Sequence, residues 1–485
     1  MERWLNRRNA LIFAALAAWW RLDLASHLQL HPDEAYYWLW SRQLDVSYFD
    51  HPPMVAYFIR LTTLASDSEL WVRLSGVLVP LLLSALTWRL ALRLFRSVPV
   101  AAGSVILFNA YPLSTLGLVV ITPDVPLLLF SALCVYQLAQ LVQTGAPRHW
   151  YALGLCLGLA LLSKYTAVLL VPGVLLYLLV SDERRWLRTW HPYLALLLSL
   201  ACFAPVAYWN SRHDWVSFEF QLHNGLGGET ASLGLVAVYL AGQMLLAGPL
   251  AWLLGVHGAL RAAAQRDKPA LLLACTSVPV IVFFGLTSYR TLAGPNWPMF
   301  AYFGLGILAS YYGLSNSSRL RRALWAAAVL TSLSISLLAT LQARFGLLSA
   351  AHYADRLAAM DASNWFYGWR ELGAELLKTP ARTAVITPSH QLSAEIVYYT
   401  GGRIPARPAA AARPSQFNLW NLPPRSEGED CLYVWTGDDP AGPYTEDCLT
   451  STADAVLAVE RNGKAIRTYH LLPGRQRPPR SEASR

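Results

Sequence analysis

Long apolar runs recur from near the N-terminus to about Leu341, and short segments that carry most of the charge separate them. This pattern constrains the fold strongly, because a run of about 20 apolar residues is long enough to cross a bilayer as a helix. The composition agrees, since 55% of the 485 residues are hydrophobic and only 14% are charged. Soluble domains carry about 25% charged residues. The sequence therefore predicts a polytopic α-helical membrane protein.

Eleven apolar runs are candidates for membrane-spanning helices. They cover about residues 10–29, 72–92, 99–119, 125–143, 150–163, 166–180, 191–209, 232–258, 269–287, 297–313 and 323–342. The fifth and sixth runs are short and meet at Lys164 and Tyr165, so two separate spans or one broken helix are both open. One broken helix would reverse the sidedness of every later loop. We favour two spans, because that topology agrees with the distribution of basic residues.

The basic residues indicate which side of the membrane each loop faces. Short cytoplasmic loops collect Lys and Arg, and with the N-terminus inside every proposed inner segment is basic. These segments contain Arg3, Arg7, Arg8, Arg93, Arg96, Arg148, Arg184, Arg185, Arg188, Arg261, Arg266, Lys268, Arg319, Arg321 and Arg322. The same loops explain the net charge of +9, so we predict no nucleic-acid partner.

The composition changes after Leu341 to a polar, Pro-rich sequence. We predict a transmembrane domain at 1–342 with a long outer loop at 30–71, a small outer α/β domain at 343–472, and a disordered tail at 473–485. Strands are predicted at 383–387, 431–435, 455–460 and 466–472, and a helix at 391–399. Cys431 and Cys448 lie in this region, where a disulfide and two free thiols are both open.

Several ionisable residues are predicted to lie at one level of the membrane, on its outer face. They are Asp33, Glu34, Asp50, His51, Asp124 and Lys164. Each has a structural explanation of its own, since acids cap helices and lysines extend along apolar surfaces to reach water. Capping does not explain why they should converge, and ionisable groups at membrane depth are costly. We therefore predict a shared functional site.

Four motifs resemble those of a known family. They are His31-Pro-Asp-Glu-Ala-Tyr-Tyr-Trp, Tyr48-Phe-Asp-His-Pro-Pro, Thr122-Pro-Asp and Leu162-Ser-Lys-Tyr. Their order and spacing resemble the bacterial membrane glycosyltransferases related to protein O-mannosyltransferases and to the aminoarabinose transferase of lipid A. The resemblance covers about residues 10–300. It implies a fold of the GT-C type, an active site on the periplasmic face of the inner membrane, and a polyprenyl-phosphate sugar as donor.

The resemblance also implies roles for three acidic residues. Asp33 matches the position of the catalytic base, and Glu34 is its neighbour in the catalytic motif. Asp50 matches a second acidic position, which is Glu in the aminoarabinose enzymes. Asp33 and Asp50 can on this basis help to hold a divalent metal ion, the one cofactor that the resemblance suggests.

Four further residues are candidates for binding substrate or phosphate. His51 stands where the aminoarabinose enzymes have Lys near the donor phosphate, which puts phosphate binding at this position in doubt. Asp124 and Lys164 match the acid and the lysine of the later motifs. Arg290 is included because it lies in the outer loop 288–297. A departing phosphate needs such positive charge, and the acceptor hydroxyl needs a base.

The predicted function is transfer of a sugar from a polyprenyl-phosphate donor to an envelope acceptor. Lipid A, another glycan, a lipid and a protein are all open as acceptors. The alternative is a polytopic transporter or flippase of lipid-linked sugars. Such proteins place ionisable groups near the middle of the bilayer and have internal repeats. No repeat is visible between the two halves of this sequence, and the acids of the first motifs lie in a loop.

Overall fold

The computed structural model describes residues 4–476 except 229–230, 316–317, 348–360, 380–382, 423–428, 438–447 and 451–454. The chain divides into two compact units. The first contains Met1–Ser26 and Leu44–Thr340, and the second contains His27–Gln43 and Leu341–Arg485. The second unit therefore includes a segment that the sequence analysis assigned to the first outer loop.

The first unit is helical. Its helices are α1 (Arg7–His27, whose last residue enters the second unit), α3 (Met54–Thr62), α4 (Glu69–Phe95), α5 (Val98–Ala110), α6 (Asp124–Thr144), α7 (Arg148–Leu161), α8 (Leu170–Val180), α9 (His191–Arg212), α10 (Val216–Leu226), α11 (Leu233–Ala247), α12 (Pro249–Gln265), α13 (Lys268–Thr287), α14 (Ala301–Leu314) and α15 (Arg319–Phe345, which also enters the second unit). Each predicted apolar run overlaps at least one of these helices.

Several helices can cross a membrane, as predicted. Among the described residues, five are long and apolar enough to do so, namely α4, α6, α9, α13 and α15. Two bent pairs raise the number to seven if each pair is one span. The finer count of eleven spans stays a prediction.

The apolar run at 232–258 is not one straight helix. The chain bends by 102° between α11 and α12. Gly248 adopts a φ of +86° there, and Pro249 begins the next helix without a backbone N–H. The Ser332 hydroxyl donates to the Ala247 carbonyl at 2.8 Å and satisfies the end of α11. Hydropathy alone cannot detect this bend, because both helices are apolar.

A buried arginine in α1 is accommodated by a break in the neighbouring helix. After α5 the chain forms a π-helical turn at Leu113–Gly117. The Arg21 side chain is fully buried and donates to the Ser114 carbonyl at 2.8 Å and to Asn109 Oδ1 at 3.0 Å. These acceptors explain how a basic residue can lie inside an otherwise apolar helix.

The second unit combines a sheet with short helices. The strands are β1 (Ala384–Thr387), β2 (Ala406–Pro408), β3 (Asp430–Thr436), β4 (Cys448–Thr450), β5 (Ala455–Arg461) and β6 (Lys464–Gln476). The sheet order is β2-β1-β3-β6-β4, and β5 also pairs with β6. Strand β1 is parallel to β2 and β3, and the other pairs are antiparallel. The helices are α2 (Pro32–Arg42), α16 (Trp369–Leu376), α17 (His390–Tyr399) and α18 (Gln416–Leu419).

The four predicted strands and the predicted helix of this unit are confirmed as β1, β3, β5, β6 and α17. Strands β2 and β4 have three residues each and are too short to show an alternating pattern. The prediction of a disordered tail from residue 473 is wrong for 473–476. There β6 continues, because Pro473 pairs with Leu432 and the Gln476 N–H donates to the Glu429 carbonyl at 2.8 Å. The rest of that tail, 477–485, lies outside the described residues.

One disulfide joins two strands of the sheet. Cys431 in β3 and Cys448 in β4 are bonded. The four other cysteines, Cys134, Cys156, Cys202 and Cys275, are free. Of the two alternatives that the sequence left open, the structure has the disulfide.

Candidate active site

A buried ion pair joins two of the four motifs. Lys164 Nζ donates to Asp124 Oδ1 at 2.9 Å. The exposed fractions of the two side chains are 8% and 2%. An ammonium group and a carboxylate at such depth are stable as charges only when they are paired. The structure thus brings together two residues that the sequence analysis assigned to one site.

Local structure explains how each partner is presented. Asp124 is the first residue of α6, and its backbone N–H donates to Thr122 Oγ1 at 3.3 Å. Lys164 lies in the break between α7 and a 3-10 helix at Tyr165–Leu169 and has extended backbone geometry. A lysine inside a regular helix would follow the helix surface, whereas this break directs the side chain toward the start of α6.

Both oxygens of the Asp124 carboxylate accept a hydrogen bond. Its second oxygen, Oδ2, accepts from Asn296 Nδ2 at 2.7 Å. Lys164 Nζ has three N–H groups, and Asp124 is its one hydrogen-bond partner among the residues that the structure describes. Two N–H groups of a charged side chain therefore remain available for a ligand.

The motif of Asp50 and His51 is held by a glutamine. Gln221 Nε2, on α10, donates to the Asp50 carbonyl at 2.6 Å and lies 3.3 Å from His51 Nδ1. Because the amide N–H is a donor, this contact requires that His51 Nδ1 carries no proton. The Asp50 side chain is buried, and His51 is partly exposed.

A backbone hydrogen bond places this motif beside the lysine motif. The Met54 N–H, directly after Pro52 and Pro53, donates to the Leu162 carbonyl at 3.1 Å. Leu162 is two residues before Lys164. Three of the four motifs, those of Asp50, Asp124 and Lys164, thus lie in the first unit. The motif of Lys164 contacts Asp124 directly and contacts the residue that follows the Asp50 motif.

Asp33 and Glu34 lie in the second unit, at the start of α2. Glu34 is buried, and its Oε2 accepts from the His31 N–H at 2.8 Å. His31 Nδ1 in turn accepts from the Asp33 N–H at 3.3 Å, which completes a capping box. The Asp33 side chain is 41% exposed. Glu34 therefore caps the helix, whereas the Asp33 carboxylate faces outward.

Contacts far apart in the sequence fasten this segment to the rest of the second unit. Gln29 Oε1 accepts from the Trp369 N–H at 2.8 Å, at the start of α16. The Leu30 N–H donates to the Tyr399 hydroxyl at 2.8 Å. The Tyr36 hydroxyl accepts from the Gln416 N–H at 2.7 Å. The position of Asp33 is thus determined by the C-terminal part of the chain.

Arg290 lies in the segment between α13 and α14, and its side chain is exposed. The same segment supplies Asn296, which the sequence analysis did not select. Gln221 was also missed. Both are neutral amides, and a neutral amide in an apolar or loop sequence gives no signal comparable to that of a buried charge.

The described residues offer few side chains that could coordinate a metal ion. Across the described part of the chain, no group of three or more His, Cys, Asp or Glu side chains is placed to hold a metal ion. Asp124 is already bonded to Lys164 and Asn296. A divalent ion held by Asp33 and Asp50 remains a prediction, and no chemical step is derived from it.

Comparison with known proteins identifies sequence relatives. The dolichyl-phosphate-mannose-protein mannosyltransferase family matches residues 50–209, a region that contains Asp50, His51, Asp124 and Lys164. The lipid A galacturonosyltransferase RgtD of Rhizobium johnstonii is 27% identical over 321 residues, which are 63% of this chain and 65% of the relative. The chain resembles GT-C-type membrane glycosyltransferases. The resemblance predicted from the four motifs is thereby confirmed.

Two further comparisons agree with that result. The undecaprenyl phosphate-alpha-4-amino-4-deoxy-L-arabinose arabinosyl transferase of Erwinia tasmaniensis is 27% identical over 350 residues, which are 67% of this chain and 62% of the relative. The match thus spans less than two thirds of the length of either relative. The crystal structure of ArnT from Cupriavidus metallidurans bound to undecaprenyl phosphate is similar to this chain, and the match covers 96% of this chain and 97% of that chain. The TM-score is 0.66 and the sequence identity is 19%. That similarity shows a shared fold.

Proposed function

We propose that this protein is a membrane glycosyltransferase that moves a sugar from a polyprenyl-phosphate donor to an envelope acceptor. The observation that carries the proposal is the buried Lys164 ammonium, which is paired with Asp124 and retains two N–H groups. A fixed cation of this kind suits the phosphate of a lipid carrier, whose negative charge grows as the sugar departs.

The comparisons support the class of donor. One relative is named for an undecaprenyl phosphate-linked sugar, and the protein of similar fold was crystallised with undecaprenyl phosphate. The other relative is named for transfer to lipid A. We therefore propose lipid A as the acceptor. Another glycan, a lipid and a protein are the alternative acceptors. The transferred sugar is not assigned.

We assign the phosphate to Lys164, with contributions from His51 and Arg290. Lys164 supplies the charge and two N–H donors. His51 receives a hydrogen bond at Nδ1, so as a neutral ring it carries its proton on Nε2. Arg290 is exposed and supplies a second cation. Asp124 holds the Lys164 side chain in place, and Asn296 holds Asp124.

We assign the role of base to Asp33. Its carboxylate is exposed and can accept the proton of an acceptor hydroxyl. The acceptor oxygen then forms a bond to the sugar carbon while the bond from that carbon to the phosphate oxygen breaks, so that polyprenyl phosphate leaves. Glu34 keeps Asp33 in position by capping α2. An inverting single displacement follows from the resemblance.

We place the active site and the second unit on the periplasmic face of the inner membrane, in a chain with about eleven spans. The basic residues gather on the opposite loops. The disulfide between Cys431 and Cys448 supports this side, because disulfides persist in oxidising compartments such as the periplasm.

A complementation experiment tests the proposal. Cells that lack the gene receive the wild type, Lys164→Met, or the matched control Lys268→Met, which removes an exposed lysine. Mass spectrometry then measures lipid A and other envelope glycans. We expect the wild type and the control to restore a sugar modification and Lys164→Met to fail at equal membrane abundance. An unchanged glycome with altered flipping of lipid-linked sugars would favour the transporter instead.

A further inference from the structure

A groove in the first unit lies apart from the motifs described above. It has a volume of about 520 Å³ and lies between α1, α4 and α5. Small and apolar residues, among them Ala14, Ala15 and Leu81, line part of it, and Arg7, Arg89 and Trp88 line the rest. None of these residues belongs to the four motifs.

Hydrogen bonds show how α1 and α4 run relative to each other. Arg21 in α1 donates to Asn109, and Asn109 donates to Ser84 in α4 at 2.9 Å. Arg7 lies about 21 Å from Arg21 toward the start of α1, and Arg89 lies about 7.5 Å from Ser84 toward the end of α4, at about 1.5 Å per residue. Both arginines can line one groove only if the two helices are antiparallel. In each helix the arginine is therefore the lining residue that lies farthest toward one side of the groove, which we call its basic end.

The dimensions of the groove suit one leaflet of a bilayer. From Arg7 to Ala15 along α1, and from Arg89 to Leu81 along α4, the distance is about 12 Å in each case. Half of the hydrocarbon core of a bilayer is about 15 Å thick. A molecule that fills the groove thus has an anionic group at one end and apolar chains of about one leaflet in length.

The polar groups at the basic end of the groove are available for a ligand. Among the described residues, neither the guanidinium groups of Arg7 and Arg89 nor the Trp88 indole N–H has a hydrogen-bond or ion-pair partner. Ser84, by contrast, is engaged, since its hydroxyl donates to the Pro80 carbonyl at 2.7 Å and accepts from Asn109. Among the described residues that line the groove, the charged ones are therefore the two arginines.

We propose that this groove binds an anionic phospholipid of the leaflet that faces the basic loops. The phosphate and its headgroup lie between Arg7 and Arg89, with Trp88 at the interface, and the acyl chains follow the alanine-lined wall. An ordinary lipid of the surrounding bilayer would fill the same space. The groove prefers a lipid with a net negative charge only if the two arginines contact the lipid headgroup.

Native mass spectrometry and crosslinking of the full-length protein test this proposal. The probes are dioleoyl phosphatidylglycerol, dioleoyl phosphatidylcholine and a phosphatidylglycerol with a photoreactive acyl chain. We expect the wild type to retain phosphatidylglycerol in preference to phosphatidylcholine and to crosslink at α1 and α4. Crosslinks elsewhere, equal retention of both lipids, or a second copy of the chain in the groove would overturn the proposal.

Three variants separate the specific site from general charge. Arg7→Gln with Arg89→Gln should reduce the preference for phosphatidylglycerol by at least tenfold, since each cation near an anionic surface contributes about fivefold. The matched control Arg8→Gln with Arg96→Gln removes two exposed cations near the same helix ends but none from the groove. Ala15→Phe should reduce retention of both lipids without a change of charge. An equal loss of preference in the two double variants would contradict the proposal, as would full retention by Ala15→Phe.

Discussion

Lys164 Nζ and Asp124 Oδ1 lie 2.9 Å apart, although forty residues separate the two positions in the sequence. The pair is buried within an assembly of apolar helices and joins the start of α6 to the break after α7. The cost of burying both charges is offset by their attraction and by the hydrogen bond from Asn296. Each partner thus prevents the other from being an uncompensated buried charge, and the pair keeps a charged nitrogen ready for an anionic ligand.

Asp124→Asn should reduce both stability and transfer, because it leaves the Lys164 charge buried without a counter-ion. Breaking one partner of a buried pair costs about 3–5 kcal/mol. The double variant Asp124→Asn with Lys164→Met removes the unpaired charge and should recover most of the stability but none of the transfer. Thermal unfolding of the purified protein and a transfer assay measure the two effects. A double variant as unstable as Asp124→Asn would mean that the pair acts through packing and not through charge.

Asp33→Asn and Glu34→Gln should differ in their effect on sugar transfer. Asp33→Asn removes the proposed base at an exposed position, so transfer should fall by about 10²- to 10⁴-fold while the melting temperature stays unchanged. Glu34→Gln should be tolerated, because a glutamine oxygen can also accept from the His31 N–H in a capping box. Transfer rates at equal membrane abundance distinguish the two. Normal turnover by well-inserted Asp33→Asn would remove Asp33 from the mechanism.

The sequence indicated the charged part of this site but not its setting. Asp124 and Lys164 could be selected because charges next to apolar runs are rare. Asn296 and Gln221 could not, since neutral amides are tolerated in many environments. From the sequence, Glu34 can either cap α2 or act in the site. The side-chain rotamer decides between these two roles. The attachment of His27–Gln43 to the second unit depends on contacts such as Gln29 with Trp369, 340 residues apart, which no local pattern reports.

The second unit should lose stability in mild acid because of His390. Burial, with a smaller contribution from the Arg413 charge, lowers the pKa of His390 from 6.5 to about 3. The unfolded chain binds a proton below pH 6.5 and the folded chain does not until about pH 3, so His390 makes stability fall by about 1.4 kcal/mol per pH unit within that window. The fall ends near pH 3, where both states are protonated.

The test compares the wild type with His390→Asn by thermal unfolding of the full-length protein between pH 7 and pH 5. The variant should be less stable at pH 7, because it loses buried ring contacts with Tyr36, but its melting temperature should depend less on pH. Parallel pH profiles for the two proteins would contradict the prediction, because they would mean that folding leaves the pKa of His390 unchanged.

Cysteine labelling tests the proposed topology. The four free cysteines Cys134, Cys156, Cys202 and Cys275 are replaced by Ser, so that the disulfide of the second unit is kept. Single cysteines are then introduced at the exposed positions Ala264, near the end of α12, and Ala374, in α16. An impermeant thiol reagent should reach position 374 but not position 264 in cells with a permeable outer membrane. Labelling of position 264 with none at 374 would place the second unit in the cytoplasm.

Binding of undecaprenyl phosphate to the purified full-length protein tests the central role of Lys164 most directly. The dissociation constant is measured in detergent for the wild type, Lys164→Met and the matched control Lys268→Met, with size-exclusion profiles to confirm that each is folded. Removal of one fixed electrostatic donor from a buried site should weaken binding by at least about tenfold. We predict that weakening for Lys164→Met and wild-type affinity for Lys268→Met. Equal affinities for the wild type and for folded Lys164→Met would contradict the assignment of the carrier phosphate to Lys164.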